Sequence, residues 1–379
     1  MAATAGSDVE YAVIGGGIMG AAIGYGLARR GLSVAVLDGI DRDFRAARAN
    51  FGIVWVQGKG MAMAAYQRLT RRSADLWPAF ADEIEDNTGI DLRYERRGGL
   101  HICLGAAEFD KRAADLAAMH ALPEAAARDT EMLDRRTVER MLPAAVLGPD
   151  VAGASYCRSD GHVDPLRLLR ALHAAIPHVG GHLLAGSKVE RIEPSADGFL
   201  LHRHAAAPVR TARLVIAAGN GSARLGADVG LDVPLRPQRG QILVTERLGP
   251  FLPLPTVPIR QTGDGTVVIG STQEEVGFDS STTVSGGAAM AARALRIFPR
   301  LGEATLVRQW AGLRVMTPDS HPLYARSKAF PSAYVALCHS GVTLAAAHCF
   351  DLAAAIADGS LDPRFTPFHH GRFDVPQAA

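Results

Sequence analysis

The sequence predicts an α/β fold that opens with a parallel strand–helix–strand unit and continues into a second, less regular α+β region. Three observations carry this expectation. Tyr11–Ile14 is a short apolar run that breaks into a glycine-rich turn, an alanine-rich helix to Arg30 follows and closes at Gly31, and Ser33–Leu37 is a second apolar run. At 379 residues the chain is too long for one small core, so two domains are expected.

The turn between the first strand and helix reads Gly15-Gly16-Gly17-Ile18-Met19-Gly20. In a G-x-G-x-x-G turn the missing side chains allow a tight bend, close approach of a pyrophosphate and close helix–strand packing. The phosphates then lie on a helix N-terminus, whose unpaired N–H groups favour anions. Asp38, at the end of the second strand, is placed to take ribose hydroxyls and argues against a 2′-phosphate. A glycine-rich packing turn is the plainer alternative, but the strand, turn, helix and acid together point to a dinucleotide, NAD(H) or FAD.

Further along, residues 66–86 and 108–120 have helical spacing, while Leu183–Val189, Gly198–Arg203 and Leu214–Ala217 read as strands. Gln241–Thr245, Thr266–Ile269, Trp310–Val315 and Ala333–Ala336 read as strands too, and a last helix is expected from about Thr343 to Ala357. No repeat or obvious linker separates these segments, so a discontinuous pair of domains is expected rather than two beads on a string.

Composition narrows the partner. Forty Lys and Arg stand against 39 Asp and Glu, so no basic field argues for nucleic acid or an anionic membrane. Cys103, Cys157, Cys338 and Cys349 show no C-x-x-C spacing, which argues against zinc, an iron–sulfur cluster or a disulfide framework and fits a reducing compartment. Neither a secretory leader nor an apolar run of membrane-spanning length is evident, so a cytoplasmic protein with no transmembrane segment is expected.

Three segments carry a resemblance to a known family: Arg48-Ala49-Asn50-Phe51-Gly52; the strand Leu214-Val215-Ile216 running into Ala217-Ala218-Gly219-Asn220; and His339-Ser340-Gly341-Val342-Thr343-Leu344. Together they resemble the FAD-dependent D-amino-acid oxidase superfamily, in its glycine and sarcosine oxidase branch, from about Tyr11 to Gly359. The resemblance implies a Rossmann-type FAD-binding domain over 1–85, 146–222 and 310–379. It also implies a discontinuous α+β substrate domain over 86–145 and 223–309, built on a mixed or antiparallel sheet. It implies cofactor contacts at Gly15, Gly17, Ile18, Met19, Gly20, Asp38, Arg48, Asn50, Gly52, Val189, Ala217, Ala218, Gly219, Gly240 and Gly312. Ser340, Gly341, Val342 and Thr343 would place a helix N-terminus against the flavin pyrimidine ring, where reduction develops negative charge. A plain N-cap and turn is the alternative for Ser340-Gly341.

The run from Asn50 to Gly60, Ile259-Arg260-Gln261-Thr262 and Glu274–Asp279 look most like the flavin subunits of opine oxidases, D-hydroxyproline dehydrogenases and hydrogen cyanide synthases. That likeness implies a second, different subunit that carries further redox cofactors and receives the electrons. Val268 stands where the sarcosine oxidase branch has a lysine that promotes reaction with oxygen, which favours a dehydrogenase. The position nearest that branch's flavin-linking cysteine is Gly312, so non-covalent FAD is expected.

For catalysis the strand Trp310-Ala311-Gly312-Leu313-Arg314 matches the family's W-x-G-L-R pattern, and Arg314 is expected to grip a substrate carboxylate with its planar fork. A structural pairing of Arg314 with Asp319 is the alternative. His339 is expected either to touch substrate or to cap the flavin turn, and Glu275 and Arg260 fit surface or interface roles as well as catalytic ones. The expected reaction is oxidation of a carbon–nitrogen bond in an opine, D-hydroxyproline or another small amino acid. A self-sufficient oxidase, a cyanide synthase subunit and a non-catalytic FAD-bearing assembly subunit stand as alternatives.

Overall fold

A computed structural model describes residues 8–39, 46–126, 129–361 and 363–374. Residues 1–7 and 375–379, at the ends of the expected FAD-binding ranges, lie outside the described residues. Strand β1 (Asp8–Ile14) leads through the glycine turn into helix α1 (Ile18–Ala28), and β2 (Val34–Leu37) lies parallel to β1. Two longer helices, α2 (Ala64–Thr88) and α3 (Pro165–His178), and the strand β3 (Ala206–Ile216) complete the frame. The sheet runs Leu323–Arg326, Ala333–Leu337, β3, β1, β2, His182–Leu184, and an antiparallel pair, Val189–Ser195 and Gly198–Arg203, extends from β3.

Helix α1 shows why its sequence is rich in Ala and Gly. Nearly every residue from Ile18 to Ala28 is buried, because the helix is covered by the sheet, by α3 and by the C-terminal helix. A Cβ at Gly24 would lie 2.3 Å from Val36 Cγ2, and one at Gly26 would lie 2.1 Å from the Cys349 carbonyl oxygen. Small residues therefore set how closely three elements approach.

Two further sheets form the second region. One is antiparallel, in the order Ile259–Gln261, Thr266–Gly270, β4 (Arg236–Arg247) and β5 (Leu306–Met316). The other is mixed, in the order Thr256–Val257, Gly99–Leu104, Val151–Cys157 and Thr130–Asp134. A hydrophobic core that includes Leu100, Ile102, Leu243, Phe251, Ile297 and Phe298 joins them. Val151–Cys157 and the Trp310–Met316 part of β5 fall inside ranges expected for FAD binding yet pair in these two sheets, so strand pairing argues for boundaries nearer Cys157 and Met316. No described helix is long and apolar enough to cross a membrane.

Some elements differ from expectation for local reasons. The single strand expected over Leu183–Val189 is two, since Gly186 takes φ +69° and the Ser187 N–H donates to the Asp38 carbonyl at 2.6 Å, bending the chain over the end of β2. The last helix gains regular form at Ala345 rather than Thr343 and contains a π-helical turn over His348–Leu352.

Burial holds the imidazoles of His101 and His162 down at about 4 and that of His348 at about 3. The unfolded chain takes up protons at these sites below about pH 6.5. The histidines therefore contribute stability that is full above pH 6.5 and is lost as pH falls toward 4. Asp160, pushed up to about 7 by burial, binds a proton in the fold first and offsets part of this loss. The urea midpoint should fall on acidification from pH 7 to 5, with each histidine contributing at most about 1.4 kcal/mol per pH unit. A midpoint that stays flat would show that these imidazoles charge freely inside the fold.

Candidate active site

The carboxyl ends of the central strands stop in register, with Ile14 opposite both Leu37 and Ile216. This brings Gly15, Asp38 and Ala217 to one edge of the sheet, where ligands of open α/β sheets bind. Gly15 takes φ +108°, and a Cβ there would sit 2.4 Å from the Ala217 carbonyl oxygen; a Cβ on Gly20 would sit 1.9 Å from the Gly15 oxygen. These two glycines hold the turn closed. Gly17 differs: a Cβ there would meet nothing nearer than Ala47 Cβ at 3.9 Å. Its open side faces a cavity of about 750 Å³, within the range of about 300–1,000 Å³ usual for ligand pockets.

The cavity is lined by Gly15, Gly17, Ile18, Met19, Gly20, Asp38, Asn50, Val189, Ala217, Ala218 and Gly219, and beyond them by His339, Gly341 and Val342. A Cβ at Gly341 would meet no atom within 4 Å, a second cradle that a side chain would fill. Asn220 Oδ1, in the same wall, is buried without a hydrogen-bond partner. Open glycines at two places, an orphaned acceptor and a helix N-terminus suit a long ligand with phosphates in its middle. Asp38 accepts from the Gly16 N–H at 3.0 Å and keeps its carboxylate in the wall.

Other expected cofactor residues lie behind this surface. Arg48 lines a smaller neighbouring pocket with Gly16, Gly17 and His173. Gly52 is packed against the Val163 carbonyl, and its N–H donates to Asn50 Oδ1 at 2.7 Å. Gly312 makes room for Ala49, whose Cβ would lie 2.3 Å from an added one, and Gly240 lies beneath the Arg314 guanidinium. The Ser340 hydroxyl accepts from Tyr66 at 2.8 Å, and Thr343 Oγ1 accepts from the Trp55 N–H at 3.1 Å, so both tie the start of the last helix to its neighbours.

Arg314 sits on β5 beside Leu313 and Val315, which line the cavity. It donates to Gln238 Oε1 at 3.2 Å, the Arg239 carbonyl at 3.3 Å, the Thr272 carbonyl at 2.9 Å and the Ser271 hydroxyl. It makes no ion pair among the described residues. Asp319, its expected structural partner, instead receives Arg372 at 2.8 Å. His339 Nε2 lies 3.1 Å from Lys59 Nζ and 3.3 Å from Ser340 Oγ. Burial, reinforced by Lys59 and Arg314, holds that imidazole well below its ordinary range, so it is neutral and accepts at Nε2. Burial likewise brings the Lys59 ammonium down to about 8.

Glu275 accepts from Gln238 at 2.7 Å and pairs with Arg236, while Arg260 bonds the Phe51 carbonyl; both brace loops. Sequence reasoning had not assigned a role to Lys59, or to Phe278 and Ser280, which line the cavity from a loop pinned by Arg239 to Glu274 and Asp279. The segments that hold Lys59 and Phe278 were themselves distinctive, but no spacing rule singled out these side chains.

A model for FAD dependent oxidoreductases, the DAO family, matches residues 10–355. The chain belongs to this family. It is 41% identical to an opine oxidase subunit of Agrobacterium tumefaciens (strain Ach5), over 98% of this chain and 99% of that protein. The corresponding opine oxidase subunit of Rhizobium meliloti is 39% identical over the same shares of the two chains. The crystal structure of glycine oxidase from Geobacillus kaustophilus superposes with a TM-score of 0.86 at 25% identity, covering 99% of this chain and all of that one. The protein is therefore an FAD-dependent oxidoreductase.

The two kinds of glycine separate in experiment. Gly17→Val should fold normally yet yield protein with little flavin, because its side chain enters ligand space. Gly20→Val should fail to accumulate as folded protein, since its Cβ strikes backbone. Flavin absorbance per folded chain reads the first and soluble yield the second. Full flavin occupancy in Gly17→Val would remove the phosphates from this turn.

Proposed function

We propose that the chain is the flavin subunit of an enzyme that oxidises the carbon–nitrogen bond of an opine of the octopine or nopaline type, or of D-hydroxyproline, and passes the electrons to a different subunit. The observation that carries this reading is the full-length likeness to a protein named as one subunit of an opine oxidase. The arrangement of side chains supports it. Arg314 pairs with no acid among the described residues, and its planar guanidinium suits a carboxylate that would displace its neutral acceptors; fixing that group aims the reacting carbon.

When bound, FAD supplies the two-electron acceptor for the hydride on the carbon beside the nitrogen. The residues of the chain set the conditions for that transfer. Lys59 and Arg314 make the substrate pocket electropositive, which favours a neutral amine over an ammonium, and the neutral amine is the form that can give up a hydride. His339, held neutral, accepts from Lys59 and adds no charge of its own. The imine product hydrolyses in water. Cys338 lies in the cavity wall, where burial pushes its thiol up to about 12 and makes it a poor nucleophile.

Arg314→Lys keeps the charge but loses the fork. It should raise the KM for substrate about 10- to 100-fold, a loss of about 1.4–3 kcal/mol, with flavin content unchanged. Unaltered kinetics would return Arg314 to a bracing role. The isolated chain should bleach its flavin with substrate in the absence of air, form hydrogen peroxide slowly, and turn over rapidly with an artificial electron acceptor. Fast peroxide formation that the acceptor does not increase would make it a self-sufficient oxidase and reject the partner subunit.

A further inference from the structure

Two cations stand close to His339, which lines the cavity. Lys59 Nζ approaches His339 Nε2 at 3.1 Å, and Arg314 acts electrostatically on both groups. Neither cation has an acid for a partner among the described residues. The nearby acids are committed elsewhere. Glu274 pairs with Arg239 at 2.6 Å and also accepts from Gln241 and Thr272. Asp319 pairs with Arg372, and Asp160 accepts from the Val56 and Gln57 N–H groups and from the Gln57 side chain. Asp160 and Glu274 act on Lys59 and Arg314 only from a distance, so neither cation is neutralised by contact and both can take an anion.

We propose that Lys59 is the ligand for a second substrate carboxylate, with Arg314 holding the first, so that Lys59 selects secondary amines bearing a carboxylate on each arm. The proposal rests on the reading of this site as a carbon–nitrogen oxidase, and within that reading it favours iminodicarboxylates over a cyclic monocarboxylate. One carboxylate would neutralise one of the two cations and leave the other bare. The residue types match the division of labour. The Arg314 fork fixes the arm that reacts, while an ammonium on a flexible stem follows a second arm of variable length. The loop that carries Lys59 is itself secured. The Val56 N–H donates to Asp160 at 2.6 Å, and Gln57 Nε2 donates to the Gly99 carbonyl at 2.9 Å and to Asp160 at 2.7 Å.

Iminodiacetate and N-ethylglycine differ by the exchange of one carboxylate for a methyl group, and their binding can be measured by anaerobic calorimetry on the purified holoenzyme with its flavin already reduced, so that neither ligand reacts. The wild type should bind iminodiacetate at least about 10-fold more tightly. Lys59→Met should weaken iminodiacetate about 10- to 100-fold more than it weakens N-ethylglycine, and so erase the preference, while Lys59→Arg should keep most of it. If Lys59→Met does not fold, Lys59→Gln reads the same difference. Equal weakening of both ligands would make Lys59 a structural support for His339 and overturn the proposal; the oxidase reading would survive if either ligand still bleached the flavin. A wild-type enzyme without preference for the dicarboxylate would overturn it as well.

Discussion

The site rests on one steric constraint, the contact between the glycine turn and the end of the neighbouring strand. With Ile14, Leu37 and Ile216 level across the sheet, Gly15 is driven against the Ala217 carbonyl and Gly20 against Gly15 itself. Any side chain there would push the turn away from the sheet, and the N-terminus of α1 would no longer face the cavity. The same economy of volume runs down α1, where Gly24 and Gly26 admit Val36 and the C-terminal helix. Cofactor geometry and core packing are thus set by the same short helix.

The two halves of the cavity are built from different materials. Near the glycine turn the wall is largely backbone and small side chains, and its recognition depends on unobstructed amides and space. Toward Cys338 and His339 the wall is side-chain chemistry, and burial does much of the tuning. It keeps His339 uncharged, lowers Lys59 to about 8 and raises the Cys338 thiol to about 12. Desolvation opposes charge of either sign. Lys59, at about 8, still carries its charge at neutral pH, while the Cys338 thiol stays protonated.

Much of the first half was legible in the sequence because its signals are local. The turn, α1 and Asp38 follow from spacing and residue type alone, and the long helix α2 from periodicity. The strand Val151–Cys157 was not seen: its Gly153 and Ala154 carry little β signal, and Gly153 is small because the Leu133 carbonyl passes 2.3 Å from where its Cβ would be. Helix α3 was missed despite a local sign, Asp164 capping the Leu166 and Arg167 N–H groups ahead of Pro165. Arg314 could be read from its strand motif. Lys59 could not, because its meaning depends on His339, which is 280 positions away in the chain.

The buried cluster of Asp160, Gln57, Ser155 and Arg112 lies under the segment that carries Lys59. Arg112 donates to Ser155 at 2.9 Å and to Gln57 Oε1 at 3.1 Å, and Gln57 in turn binds Asp160 and the Gly99 carbonyl. These bonds reach into the mixed sheet of the second region. The conformational entropy of ordering that segment is therefore spent during folding rather than at each encounter with a ligand, so it need not be subtracted again from affinity. A rigid socket of this kind also transmits error: a substitution at Ser155 in the sheet, or at Arg112 on the helix Gly105–Ala121, would return disorder to the segment and weaken recognition at a distance without touching ligand.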